Sequence, residues 1–204
     1  MPAFLLQAVL ISLSGVMAPG PLSAAIVGHG HRSPHAGALV ALGHGVVEFP
    51  LMALILLGFT TWIDAPGVRP VIGVAGGLVL LWMGAGMLAA ARRPAPVGAG
   101  AVPRGTALRA GVLLTGANPY FLVWWVTVGG ALLLKATAFG AAGILAFAVA
   151  HWLCDLVWFW FLSAAVHGGG RALGPWFGQV VLAACGVFLL AMGVKFLWEA
   201  AGAG

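Results

Sequence analysis

The chain has 204 residues, of which 62% are hydrophobic and only 6% charged, and its mean hydropathy is +1.10. A soluble domain carries roughly 25% charged residues because its surface meets water, so this composition excludes that class and points to hydrocarbon surroundings. The net charge of +5 comes from nine Lys/Arg against four Asp/Glu; no basic stretch is interleaved with aromatics, which excludes a nucleic-acid partner and reads as the positive flanks of membrane spans.

The opening run MPAFLLQAVLISLSG has no Lys or Arg before it. It lacks the basic region of a signal peptide and reads as a first span that is retained. A span needs about 20 mainly apolar residues, and six stretches qualify, at about 3–27, 36–60, 70–91, 107–134, 138–166 and 176–199. Backbone polar groups cannot stay unpaired in lipid, so each run is predicted helical. The predicted joints are GHGHRSPH at 28–35, Asp64-Ala65-Pro66-Gly67, RRPAPVGAGAVPR at 92–104, a short joint near Lys135, and HGGGR at 167–171. The chain is thus predicted to be one all-α integral membrane domain, 1–204. A first repeat covers about 1–91, a cytoplasmic linker about 92–106 and a second repeat about 107–199.

The two halves repeat one order of features. Span 1 is interrupted by Pro19-Gly20-Pro21 and span 4 by Asn118-Pro119. Span 2 carries His44 with Glu48 four residues on; span 5 carries His151 with Asp155 four residues on. Spans 3 and 6 share a glycine-rich pattern that includes Gly77, Gly84, Gly186 and Gly193. Three spans is an odd number, so the second half enters the membrane from the opposite side. The expected architecture is six transmembrane helices in two inverted-topology repeats, with helices 1 and 4 broken. Secondary transporters use such repeats and hold their site near the midplane between them.

Ionisable residues deep in a bilayer are costly and by default functional. Residues four apart share a helix face, which sets His44 beside Glu48 and His151 beside Asp155. If the repeat axis passes between spans 2 and 5, all four converge. They then suit a proton relay or, alternatively, a divalent metal such as Zn, Mn, Fe or Ni. The bland alternative is a hydrogen-bonded pair that fixes helix packing. Pro19, Pro21 and Pro119 are expected to free the carbonyls of Gly15, Met17 and Thr115, and Gly20 to permit unwinding. Exposed helix ends at such breaks hold charged substrate groups. Asn118 adds a donor and an acceptor, and Trp124 and Trp125 a cation–π face or an interfacial belt. Ser12, Ser14 and Ser23 are weaker candidates, commonly packing between membrane helices. His29, His31 and His35 form either a metal-collecting loop or a solvated one. The glycines of spans 3 and 6 fit close helix packing or a homodimer face. Cys154 and Cys185 lie in apolar runs and read as small buried hydrophobes.

The chain resembles the LysE/RhtB family of amino-acid exporters over nearly its whole length. The resemblance rests on Ala18-Pro19-Gly20-Pro21, Ala36-Gly37 at the start of the second span, Asn118-Pro119 after the central loop, and six apolar runs in about 200 residues. GHGVVEFPL at 43–51 and NPYFLVWWVTVGG at 118–130 resemble one branch of the family. It implies export of an amino acid or similar small metabolite driven by the proton gradient, with no cofactor and no enzymatic activity. Pro19, Gly20, Pro21, Asn118 and Pro119 carry over as substrate-site residues and Asp155 as a transport carboxylate. The His44/Glu48 pair departs from the commoner exporters, which keeps export of a divalent metal as the alternative. An intramembrane metal-dependent enzyme fits less well, since catalysis has no need of duplicated halves. The excess of Arg32, Arg92, Arg93, Arg104, Arg109 and Arg171 on one side, against Arg69, Lys135 and Lys195 on the other, places the first set in the cytoplasm of a cell-membrane protein and both termini outside.

Overall fold

The computed structural model describes residues 1–58, 68–92, 104–173 and 176–202. Among them the secondary structure is helical: α1 (Pro2–Val16), α2 (Pro21–Gly30), α3 (Ala36–Leu56), α4 (Val68–Ala91), α5 (Arg104–Gly116), α6 (Pro119–Trp124), a π-helical turn (Trp125–Gly129), α7 (Gly130–Ala136), a 3₁₀ turn (Thr137–Phe139), α8 (Gly140–Leu173) and α9 (Trp176–Gly202). The predicted turn at 64–67 and most of the 92–106 linker lie outside the described residues.

Among the described residues, four helical segments are long and apolar enough to cross a bilayer: Ala36–Leu56, Gly73–Ala91, Pro119–Gly169 and Gln179–Ala201. The pair α1 and α2, bent by 76°, adds a fifth if counted as one broken span. The 51-residue segment Pro119–Gly169 would be about 77 Å long if straight, against a hydrocarbon core of about 30 Å. It is not straight. Trp125 and Phe147 would lie about 33 Å apart on one continuous helix, yet their ring centroids are 6.4 Å apart. The chain folds back at Gly140, whose φ of 66° is a left-handed value that favours glycine. Large apolar side chains such as Trp82, Trp198 and Leu57 cover the outside of the bundle, as lipid contact requires.

Both predicted breaks are present. α1 stops at Val16 and α2 starts with Pro21 at its first position, where the missing N–H costs nothing. α5 stops at Gly116 and α6 starts with Pro119, capped by Asn118, whose side-chain oxygen accepts from the Tyr120 N–H at 3.1 Å. Two expectations about these breaks need correction. The carbonyls of Gly15 and Thr115 are not free: each closes a tight turn, accepting from Ala18 N–H at 3.1 Å and Asn118 N–H at 3.1 Å. Gly20 has extended φ and ψ of −165° and −169°, which any residue adopts, so unwinding there does not depend on glycine. A third correction concerns HGGGR at 167–171. This stretch stays helical, and α8 runs to Leu173.

Helices α4 and α9, which hold the glycines of the predicted spans 3 and 6, pack along each other through those glycines. A Cβ on Gly77 would come 2.9 Å from the Gly193 carbonyl oxygen and 2.8 Å from Leu197, and one on Gly193 would come 2.9 Å from the Gly77 oxygen and 2.9 Å from Leu81. Gly84 and Gly186 meet in the same way, with Leu190 and Leu88 as the flanking side chains. One fixed offset carries Gly77, Leu81, Gly84 and Leu88 onto Gly186, Leu190, Gly193 and Leu197. The contact set therefore maps onto itself when the two helices are exchanged. These four glycines are thus packed inside the chain.

The other helices form the second part of the bundle. α3 packs against α5 and α8, and α1 and α2 lie along α8. The α3–α5 approach is backbone-close at Gly43 and Gly111, where a Cβ on either would strike the other helix. The α4–α9 pair meets this part chiefly through α2 and α6, the short arms beyond the two breaks. The breaks therefore lie where the two parts join.

Candidate functional site

Four ionisable side chains meet in the buried interior. His44 and Glu48 come from α3 and His151 and Asp155 from α8, each pair one turn apart on an inward face. Glu48 Oε1 is the focus. His44 Nε2 lies 3.0 Å from it, His151 Nε2 3.1 Å, and Trp125 Nε1 donates to it at 3.3 Å. Asp155 stands further off, 3.8 Å from His44 Nε2 and 3.7 Å from His151 Nε2, beyond hydrogen-bond reach of either. Glu48 Oε2 and Asp155 Oδ2 are buried without a hydrogen-bond partner. Native interiors rarely leave buried polar atoms unpaired.

The far side of each imidazole is held by a hydroxyl from the opposite half of the chain. His44 Nδ1 lies 2.9 Å from Thr115 Oγ1 on α5, and His151 Nδ1 lies 2.7 Å from Ser12 Oγ on α1. Thr115 Oγ1 donates its one hydrogen to the Gly111 carbonyl at 2.6 Å. Towards His44 it can only accept, so His44 Nδ1 carries a hydrogen.

Aromatic rings wall the cluster. Trp124 stacks on His151 with centroids 5.1 Å apart, and Trp125 meets the same imidazole edge-on at 5.0 Å. Phe121 and Phe159 meet His44 edge-on at 5.1 and 5.9 Å. Trp124 has room because residue 15 is glycine: a Cβ there would lie 2.6 Å from the indole nitrogen. Trp125 opens the π-helical turn, a feature that recurs at functional sites. A cavity of about 70 Å³ borders the cluster and is lined by Pro19, Gly20 and Pro21 from the first break, by Asn118 from the second, and by Trp124 and Trp125. Pro119 starts the helix next to Asn118 but is not among the lining residues; its ring packs towards Gly76.

Of the residues expected at the site, the structure gathers His44, Glu48, His151, Asp155, Trp124 and Trp125 around one point, with both breaks beside it. The loop histidines do not form a cluster. His35 accepts from Trp160 Nε1 at 3.1 Å, and among the described residues the only group of three or more potential metal ligands is His44, Glu48 and Asp155. The sequence points to Thr115 and Gly15 only through their carbonyls; the Thr115 hydroxyl and the space beside Gly15 carry no signal there, and Ser12 reads as a weaker candidate. Thr115 does stand one helical turn before Pro119, the spacing that turns a side chain towards the break.

Secondary transporters hold their sites between discontinuous helices in this way. The LysE type translocator family matches residues 13–200. The chain belongs to this family. No curated protein and no solved structure matches it. As a LysE type translocator it is a multi-pass membrane protein, an exporter of amino acids or other small molecules.

Proposed function

We propose that this translocator exports an amino acid or similar small metabolite in exchange for protons, with His44, Glu48, His151 and Asp155 as the proton relay. Pro19, Gly20, Pro21, Asn118, Pro119, Trp124 and Trp125 form or frame the wall that meets the substrate. One observation carries the reading: His44 Nε2 lies 3.0 Å from Glu48 Oε1. The hydrogen that Thr115 requires on Nδ1 leaves a lone pair on Nε2 of a neutral imidazole. A lone pair and a carboxylate oxygen do not approach to hydrogen-bond distance with nothing between them. A cation belongs there, and the proton is the smallest. The Glu48 oxygen that takes it also accepts from Trp125, and neutral His151 with its hydrogen on Nε2 adds a third donor while accepting from the Ser12 hydroxyl at Nδ1.

Contacts across the two halves support an exchange mechanism. Ser12–His151 and Thr115–His44 each join a hydroxyl of one half to an imidazole of the other, and the two glycine pairs of α4 and α9 also join the halves. We read the chain as six spans in two inverted repeats, about 1–91 and 107–199, in the cell membrane with both termini outside. Each hydroxyl sits on the arm before a helix break. Movement at a break would shift the hydroxyl that orients the other repeat's imidazole. A second reading, with a divalent metal ion as cargo, draws on the ligand atoms of His44, Glu48 and Asp155 lying within 4.8 Å of one another.

The test is purified protein in liposomes under an imposed pH gradient, screened with labelled amino acids. Wild type is expected to move at least one of them against its gradient, and Glu48→Gln and Asp155→Asn to abolish the coupling while still inserting and folding. Full gradient-driven transport by the Glu48→Gln/Asp155→Asn double variant would end the relay reading.

A further inference from the structure

We propose that the buried cluster is a three-ligand transition-metal site, binding one Zn²⁺-class dication through His44 Nε2, one oxygen of Glu48 and one of Asp155, with a fourth position open to the cavity. The proposal deepens the second reading, on whose donor set it rests, by naming the ligands, the residues that position them and the class of ion.

Four observations carry it. First, the ligand atoms converge. All three lie within 4.8 Å of one another, and His44 Nε2 stands 3.0 Å from Glu48 Oε1 and 3.8 Å from Asp155 Oδ1, on either side of the about 3.3–3.5 Å that metal–ligand bonds of about 2.0–2.1 Å give in a tetrahedron. Second, Glu48 Oε2 and Asp155 Oδ2 are buried and unpartnered, as they would be if a cation belonged to these carboxylates. Third, His44 has the orientation of a metal ligand: its Nδ1–H is held by Thr115, which is itself anchored to Gly111, and its Nε2 lone pair points into the cluster. Fourth, charge balances, since a dication with two carboxylates and a neutral imidazole is neutral overall, the state a bilayer interior tolerates best.

The donor set narrows the ion. One imidazole with two carboxylates suits first-row dications such as Zn²⁺, Mn²⁺, Fe²⁺, Co²⁺ or Ni²⁺; Mg²⁺ keeps its waters and wants oxygen donors. His151 is not a direct ligand in this arrangement. With Ser12 at its Nδ1, its Nε2–H donates to Glu48 Oε1 and steadies that carboxylate. Thr115, Ser12 and His151 are thus positioning residues, and Thr115 is the one that sets the tautomer of the imidazole ligand.

The experiment is a Co²⁺ titration of purified full-length protein in lipid nanodiscs, read by the visible d–d bands of the bound ion, followed by competition with Zn²⁺. One Co²⁺ per chain with the intense bands of a four-coordinate site is expected. His44→Ala, Glu48→Gln and Asp155→Asn should each weaken binding at least 100-fold. Thr115→Val should weaken it about 10- to 100-fold, with Thr115→Ser restoring it, while His29→Ala, His31→Ala and His35→Ala leave it unchanged. Absence of stoichiometric Co²⁺ binding by folded wild type overturns the proposal. So does binding that survives in all three ligand variants, or that disappears with the loop histidines. Metal export is measured separately as entry of Zn²⁺ into liposomes. A bound but immobile ion sinks the metal-cargo reading and leaves the site, whereas transport without Co²⁺ bound at these residues sinks the site alone.

Discussion

Thr115 on α5 accepts from His44 on α3, and the 2.9 Å contact fixes which nitrogen of a buried imidazole carries its hydrogen. The hydroxyl can do so because its own hydrogen is committed to Gly111. Thr115→Val keeps the shape and removes the acceptor, leaving a buried N–H unpaired. The expected loss is about 1–3 kcal/mol of stability, together with a large drop in transport. Thr115→Ser should restore both. Thermal unfolding in one detergent, with transport in liposomes, checks this; full activity in the valine variant would remove Thr115 from the site.

The α4–α9 interface offers a comparison between two glycines on one helix. A Cβ on Gly84 would lie 2.8 Å from the Gly186 carbonyl oxygen, whereas one on Gly86 meets nothing within 4 Å. Gly84→Ala must push the helices apart and is expected to cost about 1–3 kcal/mol. Gly86→Ala should be neutral or stabilising by less than about 1 kcal/mol. Equal unfolding temperatures for the two variants would contradict the packing described for α4 and α9.

Much of this was legible in the sequence, for reasons that separate what shows from what does not. His44/Glu48 and His151/Asp155 stand out because a charged residue in an apolar run has no cheap explanation, and the helical period alone puts each pair on one face. The prolines mark the breaks because a missing N–H is a local fact. Thr115 is different. Its role requires α5 to come backbone-close to α3 at Gly43 and Gly111, a contact between distant parts of the chain that no local pattern encodes. The inequality of the two acids is hidden for the same reason: that Glu48 Oε1 gathers His44, His151 and Trp125 around it depends on where Trp125 lands after the π-helical turn. The HGGGR stretch reads as a joint, because three glycines weaken a helix, by about 1 kcal/mol each relative to alanine. It stays helical because packing against the first broken helix overrides propensity there, with His167 Nδ1 within 3.3 Å of the Gly30 carbonyl.

The orientation in the membrane can be checked at two contacts. Lys135 Nζ donates to Gln7 Oε1 at 3.2 Å, so the joint before α8 lies beside the first turns of α1. Both should face outside, with Arg32 and Arg92 in the cytoplasm. In variants carrying one introduced cysteine, with Cys154 and Cys185 replaced, an impermeant maleimide should label position 135 in intact cells and position 32 only after permeabilisation. The reverse pattern would invert the topology.

The two carboxylates should respond differently to removal, although each stands four residues after a histidine. Glu48 Oε1 faces His44, His151 and Trp125 at hydrogen-bond distance. Glu48→Ala leaves that set of buried polar groups without their common partner, and each unpaired donor costs about 1–3 kcal/mol. The variant is expected to lose about 3 kcal/mol or more and to express poorly. Asp155 makes no hydrogen bond to either imidazole and borders the cavity. Asp155→Ala orphans neither imidazole and relieves the burial of an intramembrane acid, so its stability should stay within about 1 kcal/mol of wild type. Glu48→Gln, which keeps an oxygen for the donors, should recover most of what Glu48→Ala loses. The three variants can be compared by thermal unfolding in the same detergent. A loss for Asp155→Ala as large as that for Glu48→Ala would mean that the two acids share the donors equally, and that the asymmetry centred on Glu48 Oε1 is not the resting state of the protein.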